Sequence, residues 1–124
     1  MAWTFDEKSP IYLQIAKNIK IKIVSQEMKQ GEQLPTVRDY AQEAGVNPNT
    51  MQRAFTELER EGIVFSRRTA GRFVTEDADL IEEKRAELAQ DEIANFMLNM
   101  ENIGFSDREI LAEIDSYLKQ NSVN

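Results

Sequence analysis

The sequence has no cysteine and no histidine, few glycines and prolines, and no apolar run approaching the length of a membrane span. Without cysteine there are no disulfides and no thiol redox sensing. Without either residue there are no Cys/His zinc sites and none of the commonest nucleophile-base pairs of covalent catalysis. The remaining aspartates and glutamates fall on polar helix faces, not in a catalytic constellation, so the expectation is a protein that is not an enzyme and carries no metal or cofactor. The opening MAWTFDEKSP lacks the basic and apolar regions of a secretory signal, and a cytoplasmic protein with no membrane partner is expected.

What is present suits one small domain with an appendage: 124 residues, 41% of them hydrophobic, enough for a packed core. The net charge of −7 argues against nucleic acid only until it is divided along the chain. Residues 1–77 hold 11 Lys+Arg and 11 Asp+Glu, whereas residues 78–124 hold 4 and 11, which accounts for the whole excess. Within the neutral part, Val46–Thr56 carries Arg53 and no acid, and Ser66–Thr75 carries Arg67, Arg68 and Arg72 and no acid. DNA binding depends on such local footprints more than on net charge.

The stretch LPTVRDYAQEAGVNPNTMQRAFTELEREG, Leu34 to Gly62, supplies the central motif. Val37, Tyr40, Ala41 and Ala44, and then Met51, Ala54, Phe55 and Leu58, repeat the i, i+3, i+4, i+7 stripe of a helix with one buried face. Thr36 stands at an N-cap with Asp39 three residues on, and Pro35 disfavours any earlier turn. Gly45 fits a left-handed C-cap, while Asn47 and Pro48 fit the N-cap and first position of the next helix. A turn this short predicts a helix-turn-helix, whose second helix enters the DNA major groove. The opposite face of that helix carries Asn49, Gln52, Arg53 and Thr56 at the same spacing. Asn and Gln can pair bidentately with adenine and Arg with guanine. A merely solvated face has the same periodicity, which alone does not separate the two readings.

Around this motif, Ser9 and Pro10 predict the N-cap and first residue of a helix to about Gln26, with Tyr12, Ile15, Ala16, Ile19 and Ile23 on its core stripe. Leu13, Ile21 and Val24 form a second apolar line, a candidate contact for the C-terminal segment. Trp3 and Phe5 are too apolar for a solvated arm and are expected to pack on the domain or on a partner chain. Ile63–Ser66 and Arg72–Thr75 are β-prone runs flanking Arg67, Arg68, Thr69, Ala70 and Gly71, a hairpin wing whose arginines suit phosphates or an adjacent minor groove; a solubilising turn is the alternative. From Ala78 a long polar helix bears Leu88, Ile93, Phe96, Met97, Met100 and Ile103 before Gly104. A second helix follows, with a Ser106/Glu109 capping box, a Phe105/Ile110 staple and an apolar stripe that includes Ile110, Ile114, Tyr117 and Leu118. The two form an antiparallel hairpin that buries little alone; the same hairpin of a second subunit, or this chain's own domain, would cover it. The fold expected is mainly α with a small β-hairpin: a winged helix-turn-helix domain over 1–77 and a two-helix dimerisation segment over 78–124.

With its PIYLQIA opening, the LPTVRDYA run, GVNPNTMQRAFTELEREGIV and a wing ending in GRFV, the chain resembles the GntR family of bacterial transcription regulators over Ser9–Glu76, and within it the YtrA subfamily. Larger relatives add a metabolite-binding or aminotransferase-like domain, for which the short tail leaves no room. The resemblance implies a homodimeric repressor of an inverted-repeat operator on double-stranded DNA. It also implies DNA contacts from Arg38 in the second helix, from Asn47, Asn49 and Thr50 at the start of the recognition helix, and from the wing tip with Arg67, Arg68, Thr69 and Gly71. Pro48 and Gln52 stand where many relatives have arginine, which leaves Arg53 the only cationic reader. Thr69-Ala70-Gly71 replaces the usual Gly-x-Gly of the wing. A small-molecule effector is left open, as is a winged-helix protein-interaction module that binds no specific DNA.

Overall fold

In the computed structural model, which describes residues 3–122, the first helix, α1 (Ile11–Val24), begins later than the Ser9-Pro10 pattern predicts. Pro10 itself is the N-cap, extended at ψ 141°, and no side chain caps the helix. Instead Gln14, in the first turn, braces the segment before the helix: its Nε2 donates to the carbonyls of Ser9 at 2.8 Å and Asp6 at 2.9 Å while its Oε1 accepts the Asp6 N–H at 3.0 Å. One amide thus ties the preceding segment to the first turn. At the other end Gln26 turns to a φ of 71°, and α1 stops at Val24.

Helices α2 (Val37–Ala44) and α3 (Pro48–Arg60) follow their sequence signals closely. Thr36 Oγ1 accepts the Asp39 N–H, Gly45 is left-handed at φ 75°, and Asn47 Oδ1 accepts the Asn49 N–H at 2.7 Å. Such caps satisfy N–H groups that have no partner inside the helix. The wing consists of β1 (Val64–Arg67) and β2 (Gly71–Val74), antiparallel with Val64 opposite Val74 and Arg67 opposite Gly71. Its base is broader than a hairpin. Gln33 bridges Phe73, Val74 N–H donates to the Glu32 carbonyl and Leu34 N–H to the Arg72 carbonyl, both at 2.8 Å, so the connection from α1 to α2 lies along β2.

The core forms where α1 and α2 meet α3: Ile15, Ile19 and Ile23 pack with Tyr40, Ala41, Met51, Phe55 and Leu58, joined by Ile63, Val64 and Val74 from the wing and by Ile81. Burial of one such large side chain contributes about 1.5–3 kcal/mol. Trp3 and Phe5 pack against this core, as their apolar character predicts. The Trp3 ring meets Tyr40 edge-on at 5.2 Å with Lys22 Nζ 5.0 Å from its centre, and the Trp3 backbone N–H donates to the Ala44 carbonyl.

Asp77 caps α4 (Ala78–Asn102) by accepting the Leu80 N–H, and Gly104, at φ 95°, precedes α5 (Asp107–Gln120). Both halves of the Ser106/Glu109 capping box are present, and the Ser106 N–H and hydroxyl hold the Glu109 carboxyl below the usual range. The chain divides into two compact units, the first ending at Arg85 and the second beginning at Ala86. Among the described residues no helix is long and apolar enough to cross a membrane.

Burial, reinforced by Glu43, Glu27 and Glu32, pushes the Tyr40 phenol from 10.0 up to about 12. The folded chain keeps this proton while the unfolded chain loses it from pH 10, so the stability it carries is complete below pH 10 and is lost as pH rises to 12. The urea midpoint of the wild type should therefore fall more steeply across this interval than that of Tyr40→Phe; parallel profiles would contradict the assignment.

Candidate nucleic-acid interface

Burial of Met51, Ala54, Phe55 and Leu58, each exposed by 1% or less, fixes the rotation of α3 about its axis. Asn49, Gln52, Arg53 and Thr56 consequently face solvent. Gln52 Nε2 donates to Thr56 Oγ1 at 3.3 Å, and the Arg53 guanidinium carbon lies 4.0 Å from the centre of the Tyr12 ring on α1. Asn47 spends its carbonyl oxygen on the helix cap, Thr50 is half-buried, and Arg38 is exposed on the first turn of α2. The first acid along this side is Glu57. Arg60 is hydrogen-bonded to both its oxygens and holds the Glu57 carboxyl below its usual range. An exposed pair of this kind adds little stability. Its effect is local: the acid nearest the polar face is neutralised within its own helix.

The wing arginines separate into two kinds. Arg67 and Arg68 are exposed; the Arg67 guanidinium lies 5.5 Å from the Phe65 ring and 5.1 Å from Phe73, two rings that stack at 5.9 Å. Arg72, grouped with them by the sequence, is half-buried, its Nε 3.3 Å from Glu59 Oε1 and its guanidinium 5.1 Å from the Phe55 ring. Glu59 also accepts the Ser66 hydroxyl. One carboxylate on α3 therefore grips both wing strands.

At the tip, Thr69 takes a φ of 65° and Gly71 a φ of 113°. Gln33 Nε2 donates to the Ala70 carbonyl at 2.7 Å, and a Cβ on Gly71 would come within 2.8 Å of the same nitrogen. The backbone conformation favours glycine there, and a side chain would also push the bracing Gln33 amide aside. On the far side of α3, Glu61 pairs with Lys20 of α1 at 2.8 Å and with Lys84 of α4 at 3.4 Å. Tyr12, Gln33, Glu59 and Glu61 were not among the sequence candidates. Their roles arise from contacts between elements that spacing does not encode.

In the second unit Ile93, Phe96, Ile103, Tyr117 and Leu118 are exposed, as is Ile114 at 37%; Leu88, Met97 and Met100 are half-buried, and Ile110 is buried. A cleft of about 310 Å³ is lined by Phe96, Met100, Glu113, Ile114 and Tyr117.

A helix-turn-helix whose second helix is buried on one side and polar on the other, braced against an arginine-bearing hairpin, defines a winged helix-turn-helix protein of the DNA-binding kind. The family model described as bacterial regulatory proteins, gntR family, matches residues 11–74, and the chain belongs to the GntR family of transcriptional regulators. It is 39% identical over 113 residues to the HTH-type transcriptional regulator YhcF of Bacillus subtilis, covering 91% of this chain and 93% of that one. Similarity to the HTH-type transcriptional repressor YtrA of the same organism is 43% identity over 70 residues, 56% of this chain and 54% of YtrA. A solved GntR family transcriptional regulator from Listeria monocytogenes superposes with a TM-score of 0.82 at 36% identity, covering 90% of this chain and 98% of the other.

If Glu59 anchors the wing, Glu59→Ala should accelerate hydrogen exchange of the β1 and β2 amides roughly tenfold while leaving α1 and α2 unchanged. Unchanged exchange in the wing would show that the hairpin needs no such anchor.

Proposed function

We propose that the chain is a cytoplasmic, homodimeric repressor that reads an inverted-repeat operator, with DNA binding in residues 1–77 and dimerisation in residues 78–124. The observation that carries this is the outward face of α3, where Asn49, Gln52, Arg53 and Thr56 are exposed together and no free acid lies among them. Inserted in a major groove, Asn49 and Gln52 would meet adenine edges and Arg53 a guanine. Arg38, Arg67 and Arg68 would hold phosphates, joined by the N–H groups and the Asn47 and Thr50 side chains at the start of α3. Arg72 would act chiefly by positioning the wing through Glu59.

The exposed apolar residues of the second unit support pairing. Soluble monomers rarely expose contiguous apolar patches larger than a few hundred Å². A second copy covers them with a two-fold axis, and a two-fold protein matches an inverted repeat. The name of the Bacillus subtilis relative YtrA as a repressor favours that sign of regulation.

A dimer neutralising about eight phosphates should show log K falling with log salt at a slope of roughly −7 in titrations against fragments of its own promoter region. A slope near zero would remove the model. Arg53→Ala should relax preference at one base position of the half-site by about 1–3 kcal/mol. An equal loss for every sequence would make Arg53 a phosphate contact instead.

A further inference from the structure

We infer that Tyr12, on α1 and outside the helix-turn-helix, is a positioning residue that sets the aim of Arg53 and through it the sequence preference of the recognition helix. This rests on the reading of Arg53 as the cationic base reader. The other cationic side chains on or against α3 meet carboxylates: Arg60 is bound to Glu57, Arg72 to Glu59, and Lys20 and Lys84 to Glu61. Arg53 is exposed and meets no carboxylate among the described residues. Its partner is a ring, with the guanidinium carbon 4.0 Å from the Tyr12 centroid.

An arginine loses rotamer entropy on being fixed, and stacking its flat face on an aromatic ring restrains it while leaving the edge N–H donors free. A carboxylate partner would restrain it too, but would consume those donors and cancel the charge. Tyr12 is half-buried and packs against the core, so the ring is itself held in place. Of the two exposed arginines of α3, Arg60 is held by Glu57 and Arg53 is left for the outward polar face, so restraining this one side chain bears directly on discrimination.

The test is a double-mutant cycle in the full chain, using a duplex enriched by the wild type from a random pool. Tyr12→Leu should weaken binding about two- to five-fold and flatten preference at the base position that Arg53→Ala also flattens. In the Arg53→Ala background, Tyr12→Leu should have almost no further effect. Tyr12→Phe keeps the ring and should retain wild-type preference. It also guards against a Tyr12→Leu chain that folds poorly. In the free protein, the Arg53 δ-methylene resonances should lie upfield in the wild type and in Tyr12→Phe and move downfield in Tyr12→Leu. Additive effects of the two substitutions, or a Tyr12→Phe loss as large as that of Tyr12→Leu, would overturn the inference while leaving the regulator reading intact. A wild-type chain that enriches no sequence would overturn both.

Discussion

The one-sided burial of α3 is the constraint on which the rest depends. Met51, Ala54, Phe55 and Leu58 are removed from water almost completely, and no other rotation of the helix would bury all four. Because helical neighbours recur at fixed spacing, the same rotation turns Asn49, Gln52, Arg53 and Thr56 outward. The apolar residues thus decide the presentation of the polar ones. What the core leaves undetermined, the side-chain ties settle: Glu61 to α1 and α4 on one side, Glu59 to both wing strands on the other.

Those ties explain why an acidic chain can serve an anionic partner. The carboxylates of α3 are engaged in turn, Glu57 by Arg60, Glu59 by Arg72 and Ser66, and Glu61 by Lys20 and Lys84. Arg38, Arg53, Arg67 and Arg68, by contrast, are exposed. Sorting of charge into paired and free sets matters more here than the total of −7.

Much of this was legible in the sequence because it is local. The Thr36, Asn47 and Ser106 caps and the left-handed Gly45 act over a few residues, and each appears where its motif places it. The fold class followed from these signals together with the apolar stripes, and the family from the resemblance of the PIYLQIA, LPTVRDYA, GVNPNTMQRAFTELEREGIV and GRFV runs. The boundary of α1 was less legible, since the expected Ser9 cap is absent and Gln14 instead ties the preceding segment down through bonds to Asp6 and Ser9 that no capping motif describes. Least legible were the contacts between elements. Gln33 reaches Ala70 across 37 positions, Glu59 reaches Arg72 across 13, and Tyr12 lies under Arg53 only because α1 packs on α3. Spacing along the chain distinguishes a wing arginine from its neighbours no better; the division between Arg72 and the exposed Arg67 and Arg68 required the tertiary register.

In the proposed complex, two copies of this chain present two α3 helices to one operator. Selection of bound duplexes from a random pool, with the stoichiometry of the selected complex measured by mass, tests it most directly. A two-fold pair of chains should enrich an inverted repeat with half-site centres about one helical turn, or a multiple of it, apart, bound by two chains. Enrichment of a lone asymmetric site bound by one chain, or of no sequence at all, would contradict it.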